Sequence, residues 1–305
     1  MRTAGQEAMA TRRIGDTAVS AIGLGAMLLS VEGRPDEQQA MRTIHAALDA
    51  GVTLIDTADA YCLNAAERGH NERLVGRAVR SWSGDRDAVL IATKGGHYRD
   101  HRGGWLLDGR PQYLRAACDS SLAALGVDSI ALYQHHRPDP AVPYADSIGA
   151  LADLQAEGKI RLVGIGNASV AQIGEAMGIV EVSSVQNEHS PAFRSSAPEI
   201  ELCARHGIAF LAWGPLGGRD AVAPFSDRHP EFQEVARSHG VSAEQVCLTW
   251  QLARAPVVIP IPGSRRPETI LDSVAAATLH LDADELEFLD GTRGGSCPSP
   301  TSARS

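Results

Sequence analysis

Four short phrases in this chain end apolar, strand-like runs with side chains capable of chemistry. They are Asp56-Thr-Ala-Asp-Ala-Tyr61, Ala92-Thr-Lys94, Leu132-Tyr-Gln-His-His136-Arg and Ser184-Val-Gln-Asn187. The first three supply a carboxylate, a phenol, an ammonium and an imidazole. A free phenol titrates near 10, so using it as an acid at neutral pH calls for a fall of about 3 units, or about 4 kcal/mol. One ammonium at ~4 Å in an effective dielectric of ~20 supplies about that much. Lys94 is therefore expected to lower the pKa of Tyr61, and Asp56 to keep Lys94 charged despite burial. His136 can donate to the same carbonyl oxygen, so Tyr61, Lys94 and His136 would surround one developing oxyanion. Each residue alone has an ordinary reading: a packed rim tyrosine, a solvated lysine, a capping aspartate. His135 and His136 are adjacent, so one of them faces away. Four such groups at the ends of three consecutive strands mark a candidate site.

Positioning these groups requires regular alternation of elements. Eight short apolar runs occur, at residues 21–25, 53–56, 89–93, 130–134, 162–166, 184–186, 208–213 and 257–260. Most are too short and too apolar for half-exposed antiparallel strands, and they suit a parallel sheet covered on both faces. Helical periods separate them, over 36–50, 71–80, 111–125, 146–157, 170–177, 197–206 and 267–276, with two further helices at 230–239 and 243–253 before the last strand. Gly126, Gly158 and Gly207 fall where C-terminal stops are wanted. The pattern predicts an α/β fold, a single (β/α)8 TIM barrel with its chemistry at the C-terminal strand ends. A short N-terminal β-hairpin over 12–20 precedes it, and extra helices lie near the C-terminus. Residues 95–104 and 214–226 read as loops. One domain is expected over 1–305, with a disordered Gly/Ser/Pro/Arg tail from about 291.

Composition excludes several classes. Hydrophobic residues make up 44% of the 305, enough for a large core, and the formal net charge of −9 argues against a general nucleic-acid binder. The five cysteines are scattered and form no Cys-x-x-Cys pair, which points to a reducing, cytoplasmic setting rather than a disulfide framework or zinc site. No run approaches the roughly 20 apolar residues that span a bilayer, and residues 1–13 do not read as a signal peptide. His97 and His101 lack a His-Glu-x-x-His context, so no metal site is expected. Gly23-Leu-Gly25 lacks the third glycine of a dinucleotide fingerprint. Oligomeric state is left open.

The flanking words make the pattern specific. Asp56-Thr-Ala-Asp-Ala-Tyr61 resembles the D-T-A-x-x-Y of the aldo-keto reductases. Ala92-Thr-Lys94-Gly-Gly is similar to their A-T-K-G, and Leu132-Tyr-Gln-His-His136-Arg-Pro-Asp139 to their L-Y-Q-L-H-R-x-D. Further matches run from Gly23-Leu-Gly25 to Ile259-Pro-Ile-Pro-Gly263. The resemblance implies a catalytic tetrad of Asp56, Tyr61, Lys94 and His136. The implied reaction is reversible hydride transfer between a nicotinamide and a small-molecule carbonyl or alcohol. It also implies that Gln186 and Asn167 hold the carboxamide, that Trp213 stacks on the nicotinamide, and that Pro215, Leu216, Gly217 and Arg219 run along the pyrophosphate.

Gly263, Ser264, Arg265 and Arg266 open a predicted helix, a good anion site in their own right. In similar proteins this segment grips the 2′-phosphate of NADP, so NADP(H) is expected over NAD(H). There are departures: Gly166 replaces the usual Ser, Thr269 and Ser273 replace frequent polar residues, and Asp272 stands in for a Glu that reaches the adenine. The segment 62–70 is longer than the usual turn after the tyrosine. The basic and aromatic run 97–105, expected beside the pocket, would favour a polar or anionic carbonyl compound. Two other functions are compatible with the same residues. One is a nucleotide-binding regulator on a reductase scaffold. The other is a barrel enzyme using Lys94 as a Schiff-base nucleophile.

Overall fold

The computed structural model describes residues 9–218 and 223–291. Arg219 and the tail beyond 291 lie outside these residues. The chain opens with an antiparallel hairpin of β1 (Thr11–Ile14) and β2 (Thr17–Ser20), turning at Gly15 as the sequence predicts. Next come β3 (Leu24–Gly25), α1 (Glu37–Asp49), β4 (Leu54–Asp56), α2 (His70–Ser81) and β5 (Leu90–Gly95). The stretch expected to be a loop after β5 is a second hairpin, β6 (His97–Arg99) with β7 (Trp105–Leu107). Then follow α3 (Pro111–Leu125), β8 (Ile130–His135), α4 (Tyr144–Ala156), β9 (Ile160–Gly166), α5 (Val170–Met177), β10 (Val182–Glu188), α6 (Ala197–His206) and β11 (Ala209–Trp213). The chain continues through α7 (Phe225–Arg228), α8 (Pro230–His239), α9 (Ala243–Leu252), β12 (Val258–Pro260), α10 (Pro267–Ala275) and α11 (Ala283–Leu289). Periodicity alone does not predict the last helix, yet a capping box of Asp282 with Glu285 starts it.

Strands β3, β4, β5, β8, β9, β10, β11 and β12 pair in that order, all parallel. The two ends of the sheet meet. The Gly23 amide donates to the Pro260 carbonyl at 3.0 Å, the Gly25 amide to Pro262 at 3.0 Å, and Gly25 bridges Gly263. The fold is therefore the expected (β/α)8 barrel.

Period-2 alternation then sorts the strand residues. Leu54, Leu90, Ala92, Leu132, Leu162, Ala209, Leu211 and Ile259 fill the barrel interior, plugged from below by Ile14 and Val19 of the first hairpin. Their neighbours in sequence, such as Ile55, Tyr133, Val163, Val185 and Phe210, face outward and pack under the helices. Continuing the inward register two residues past the apolar layer reaches Asp56, Lys94, Gln134, Gln186 and Trp213. Polar chemistry thus stacks on an apolar floor.

The seam between β3 and β12 admits no side chain at Gly25, where a Cβ would lie 2.7 Å from the Ile261 carbonyl oxygen. Gly25→Ala should destabilise the protein by about 1–3 kcal/mol, the usual cost of overpacking. Gly174 lies within α5, and a Cβ there would meet nothing within 4 Å. Gly174→Ala should stabilise by about 0.5–1 kcal/mol through helix propensity. Denaturant unfolding of both variants checks the pair; equal effects would refute the strained seam.

Candidate active site

Lys94, the penultimate residue of β5, is buried and uses all three ammonium protons. Nζ donates to Asp56 Oδ2 at 2.6 Å, to the Thr57 carbonyl at 2.8 Å and to the Tyr61 hydroxyl at 3.0 Å. The other oxygen of Asp56 accepts from the amides of Gln186 at 2.8 Å and Gln134 at 3.2 Å. Four strands, β4, β5, β8 and β10, therefore converge on one carboxylate. Tyr61 is carried by the turn after β4, where its amide donates to the Ala58 carbonyl. Its ring meets that of His136 edge to face, with centroids 5.8 Å apart. The structure so brings all four expected residues together. Gln134 does not stand out in the sequence, although it lies two residues before His136 and shares its face.

The adjacent imidazoles separate as the alternation requires. His136 faces the cluster. His135 is fully buried on the outer face near Tyr144, and neither of its ring nitrogens has a partner.

The expected fall in the Tyr61 pKa does not occur. Burial raises it, Lys94 pulls it down, and Asp56 and Asp59 push it back up, leaving the phenol above its ordinary value. The physical reason is that burial of the phenol outweighs the pull of Lys94, and Asp56, bonded to the ammonium at 2.6 Å, opposes that pull further. For Lys94, burial would favour the neutral amine, but Asp56 and Tyr61 more than reverse this and the ammonium is retained. Burial, reinforced by the Lys94 charge, holds His136 well below the ordinary histidine value, so it is neutral at pH 7. At neutral pH the cluster offers a neutral phenol, a neutral imidazole and a compensated ammonium.

Behind it lie two more buried acids. Burial pushes Asp59 up to about 6, despite its bond to the Arg68 guanidinium. Glu72 rises to about 7 and accepts from Thr93 at 2.6 Å. Asp59 ties the long segment after Tyr61 to the barrel, because Arg68 belongs to that segment.

The residues expected around a nucleotide are partly engaged with one another. Asn167 is the only non-glycine with positive φ among the described residues, at 54°. Its amide donates to the His136 carbonyl at 3.0 Å and its oxygen accepts from Trp213 Nε1 at 3.2 Å. Gly166 departs from the usual Ser because a Cβ there would lie 2.7 Å from the His136 carbonyl oxygen.

The loop through Pro215, Leu216 and Gly217 is anchored from both sides. Gln251 donates to the Pro215 carbonyl at 2.7 Å, and Arg228 donates to that of Leu216 at 2.8 Å. Two expectations need correction. Asp272 does not stand free for an adenine: it accepts from Ser242 at 2.7 Å and Gln245 at 2.5 Å, at the start of α9. Ser264 spends its hydroxyl within its own turn, on the amide and carbonyl of Arg266.

Gly263 lies in the barrel seam just before this turn. Arg266 is exposed at the N-cap of α10, which has no side-chain cap. Arg265 donates to the Glu32 carbonyl at 3.3 Å, while its buried Nε has no partner. The basic wall expected at 97–105 is partly neutralised, because Arg99 pairs with Glu32 at 3.0 Å.

An eight-stranded barrel with a buried Lys–Asp pair beneath a tyrosine and a histidine defines a class, and the comparisons agree with it. The family model described as the aldo/keto reductase family matches residues 21–293. An uncharacterised oxidoreductase of Schizosaccharomyces pombe is 33% identical over 284 residues, covering 92% of this chain and 89% of that protein. The glycerol dehydrogenase of Gluconobacter oxydans superposes with a TM-score of 0.81 at 28% identity, covering 97% of this chain and 98% of that one. An aldo-keto reductase of Klebsiella pneumoniae, solved with NADPH, gives a TM-score of 0.79 at 27% identity, covering 96% and 97% of the two chains. The chain belongs to the aldo/keto reductase family and is an oxidoreductase.

The buried His135 has a consequence for acid stability. Burial lowers its pKa to about 4 from 6.5. Between those values the unfolded chain binds the proton and the folded one does not, so stability falls as pH drops from about 6.5 towards 4. His135→Leu should remove up to about 3 kcal/mol of that loss. Unfolding free energies at pH 7 and pH 4.5 measure it; an unchanged acid limb would mean that His135 is not held neutral.

Proposed function

We propose that this protein is an NADP-dependent reductase of a small, polar aldehyde or ketone, working reversibly as an alcohol dehydrogenase. The observation that carries the reading is the Lys94–Asp56 pair bonded to the Tyr61 hydroxyl, beside a neutral His136. Tyr61 is the general acid that protonates the carbonyl oxygen. His136 orients that oxygen through an N–H. Lys94 stabilises the phenolate as the proton leaves, and Asp56 keeps Lys94 charged. When NADPH is bound, it supplies the hydride.

The residues present fit that nucleotide. Trp213 offers a half-buried indole held by Asn167, and Gln186, whose amide is bonded to Asp56, lies on the neighbouring strand opposite Leu211. Gly217 and Gly218 adopt positive φ, and the Gly217 amide closes the turn on the Gly214 carbonyl at 2.9 Å, so this glycine turn lets a phosphate approach the backbone closely. The Arg265 Nε, buried without a partner, is an N–H in need of an anion. Arg266 and the start of α10 add positive potential there. We place Arg219 beside the pyrophosphate on the strength of the family pattern alone.

The neutralised Arg99 favours a polar over an anionic substrate. The likeness to a glycerol dehydrogenase supports a small hydroxylated compound. A Schiff-base role suits Lys94 poorly, because its three protons are engaged and its charge is retained. A regulator without turnover is separated by assay. The described cysteines, Cys62, Cys118, Cys203 and Cys247, are buried free thiols, which supports a cytoplasmic setting. We treat the chain as one catalytic domain.

Two experiments test the proposal. With glyceraldehyde and similar aldehydes, NADPH oxidation should be lost by about 100-fold or more in Tyr61→Phe and markedly reduced in His136→Ala. His135→Leu should keep most of its activity. Because the Tyr61 pKa lies above its ordinary value, the phenol stays protonated through neutral pH. The reductive kcat should then be flat from about pH 6 to 8, while alcohol oxidation, which needs the phenolate, should rise with pH. A fully active Tyr61→Phe enzyme would sink the acid assignment.

The second experiment concerns nucleotide choice. Replacing both Arg265 and Arg266 by Ala should weaken NADPH binding by about 10- to 100-fold, and NADH binding far less. The NADPH loss should shrink at high salt. Calorimetric dissociation constants decide this: equal losses for the two nucleotides refute the phosphate site.

A further inference from the structure

The loop after β3 touches two places that are otherwise unrelated. Its turn at residues 31–34 closes with the Arg34 amide on the Val31 carbonyl, and Gly33 takes a φ of 74°. On one side, the Glu32 carbonyl accepts from Arg265 at 3.3 Å, and Gln39 of α1 holds the Arg265 carbonyl at 2.9 Å. On the other side, the Glu32 carboxylate takes Arg99 of β6 at 3.0 Å.

Arg99 is 3% exposed in its side chain, whereas Glu32 is about half exposed. The guanidinium also donates to the Gly103 carbonyl at 2.5 Å and lies 3.9 Å from the Trp105 ring centroid. Trp105 packs on His97 with centroids 4.6 Å apart, and His97 meets His136 edge to face at 4.9 Å. A continuous line of contacts therefore runs from Arg265 through Glu32, Arg99, Trp105 and His97 to His136.

We infer that Glu32 is a positioning residue that couples the cofactor phosphate site to the wall formed by the β6–β7 hairpin. The inference rests on the assignment of Arg265 to the NADP 2′-phosphate. A guanidinium has five N–H donors. One is on the Glu32 carbonyl and another, Nε, is buried and unpartnered. The remaining terminal N–H groups of the guanidinium can grip a phosphate without releasing Glu32, and this fixes Arg265 in the orientation that braces the turn. A braced turn holds the Glu32 carboxylate against Arg99, and Arg99 holds Trp105 and His97 against His136. NAD, with a hydroxyl in place of the phosphate, leaves Arg265 unfixed and the wall looser. The phosphate then serves to assemble the substrate wall as well as to bind the nucleotide.

The test is amide hydrogen exchange of the peptide spanning residues 96–107, with the full chain saturated by NADP⁺ or by NAD⁺. NADP⁺ should slow exchange of this hairpin more than NAD⁺ does, by about fivefold, the low end of site-to-site coupling. Glu32→Gln, nearly isosteric and at a half-exposed position, should keep the thermal midpoint and the preference for NADP⁺. It should also abolish the difference between the two nucleotides at the hairpin. Equal protection by both nucleotides in the wild type overturns the inference, and so does a difference that survives Glu32→Gln. Failure of NADP⁺ to bind overturns it as well, since the phosphate site would then be wrong. The readout needs no turnover. A protein that shows the coupling but reduces no carbonyl compound leaves this inference standing and removes the catalytic reading instead.

Discussion

The ion pair between Lys94 and Asp56 is the constraint on which the site depends. Burying either charge alone would cost several kcal/mol, and mutual attraction compensates only when every remaining donor and acceptor is satisfied. Here that condition is met from four strands: Thr57 and Tyr61 complete the ammonium, and Gln134 and Gln186 complete the carboxylate. Removing any one partner leaves a buried polar group unmatched, so the cluster acts as a unit. The pair also sets the protonation states around it. Burial outweighs the pull of the ammonium, which Asp56 also opposes, so Tyr61 rests protonated. The same ammonium, together with burial, keeps His136 neutral. The resting cluster thus presents a protonated phenol and a neutral imidazole beside a compensated ammonium.

The barrel makes this arrangement possible by separating apolar and polar layers along each strand. Leucines and isoleucines at the floor bury apolar area, and the residues two places further along point the same way, so the polar groups stay buried above that floor. Close approach of strands depends on small residues. A Cβ at Gly164 would lie 2.7 Å from Gln134 Cγ, so the glycine makes room for the amide that completes Asp56. Gly166 does the same for the backbone after His136. The family's usual Ser at 166 would have to displace that backbone, which accounts for its absence here.

Much of this is legible in the sequence because it is local. Strand words, their spacing and the glycine stops specify eight βα units, and alternation along Leu132-Tyr-Gln-His-His136 puts the two histidines on opposite faces, while the family pattern selects His136. What does not show in the sequence is interaction over long separations. The Tyr61 shift depends first on how deeply the phenol is buried and then on the balance of Lys94 against Asp56, and residue types alone give neither. The β6–β7 hairpin reads as a loop because its strands are three residues each, and Arg99 is secured by Glu32, 67 positions away. Asp272 and Ser264 look like free ligands until their partners on α9 and in the Arg266 turn are visible. The capping box before α11 is a local signal, but the helix it starts is polar enough to hide its period.

Barrel closure explains why the loop after β3 and the turn after β12 meet at all. The loop carrying Glu32 follows β3, and Arg265 follows β12, so 233 positions separate two residues in direct contact. They meet because the first and last strands share the seam at Gly23, Gly25 and Gly263. The β6–β7 hairpin that carries Arg99 follows β5, which lies two strands from β3 in the barrel order. A loop at the seam therefore bridges the turn that carries Arg265 and the hairpin that carries Arg99. Its own turn is short and stiff, with a closing hydrogen bond and a left-handed glycine, so it transmits a displacement rather than absorbing it. In an open sheet the same two loops would lie at opposite edges, and no side chain would reach from one to the other.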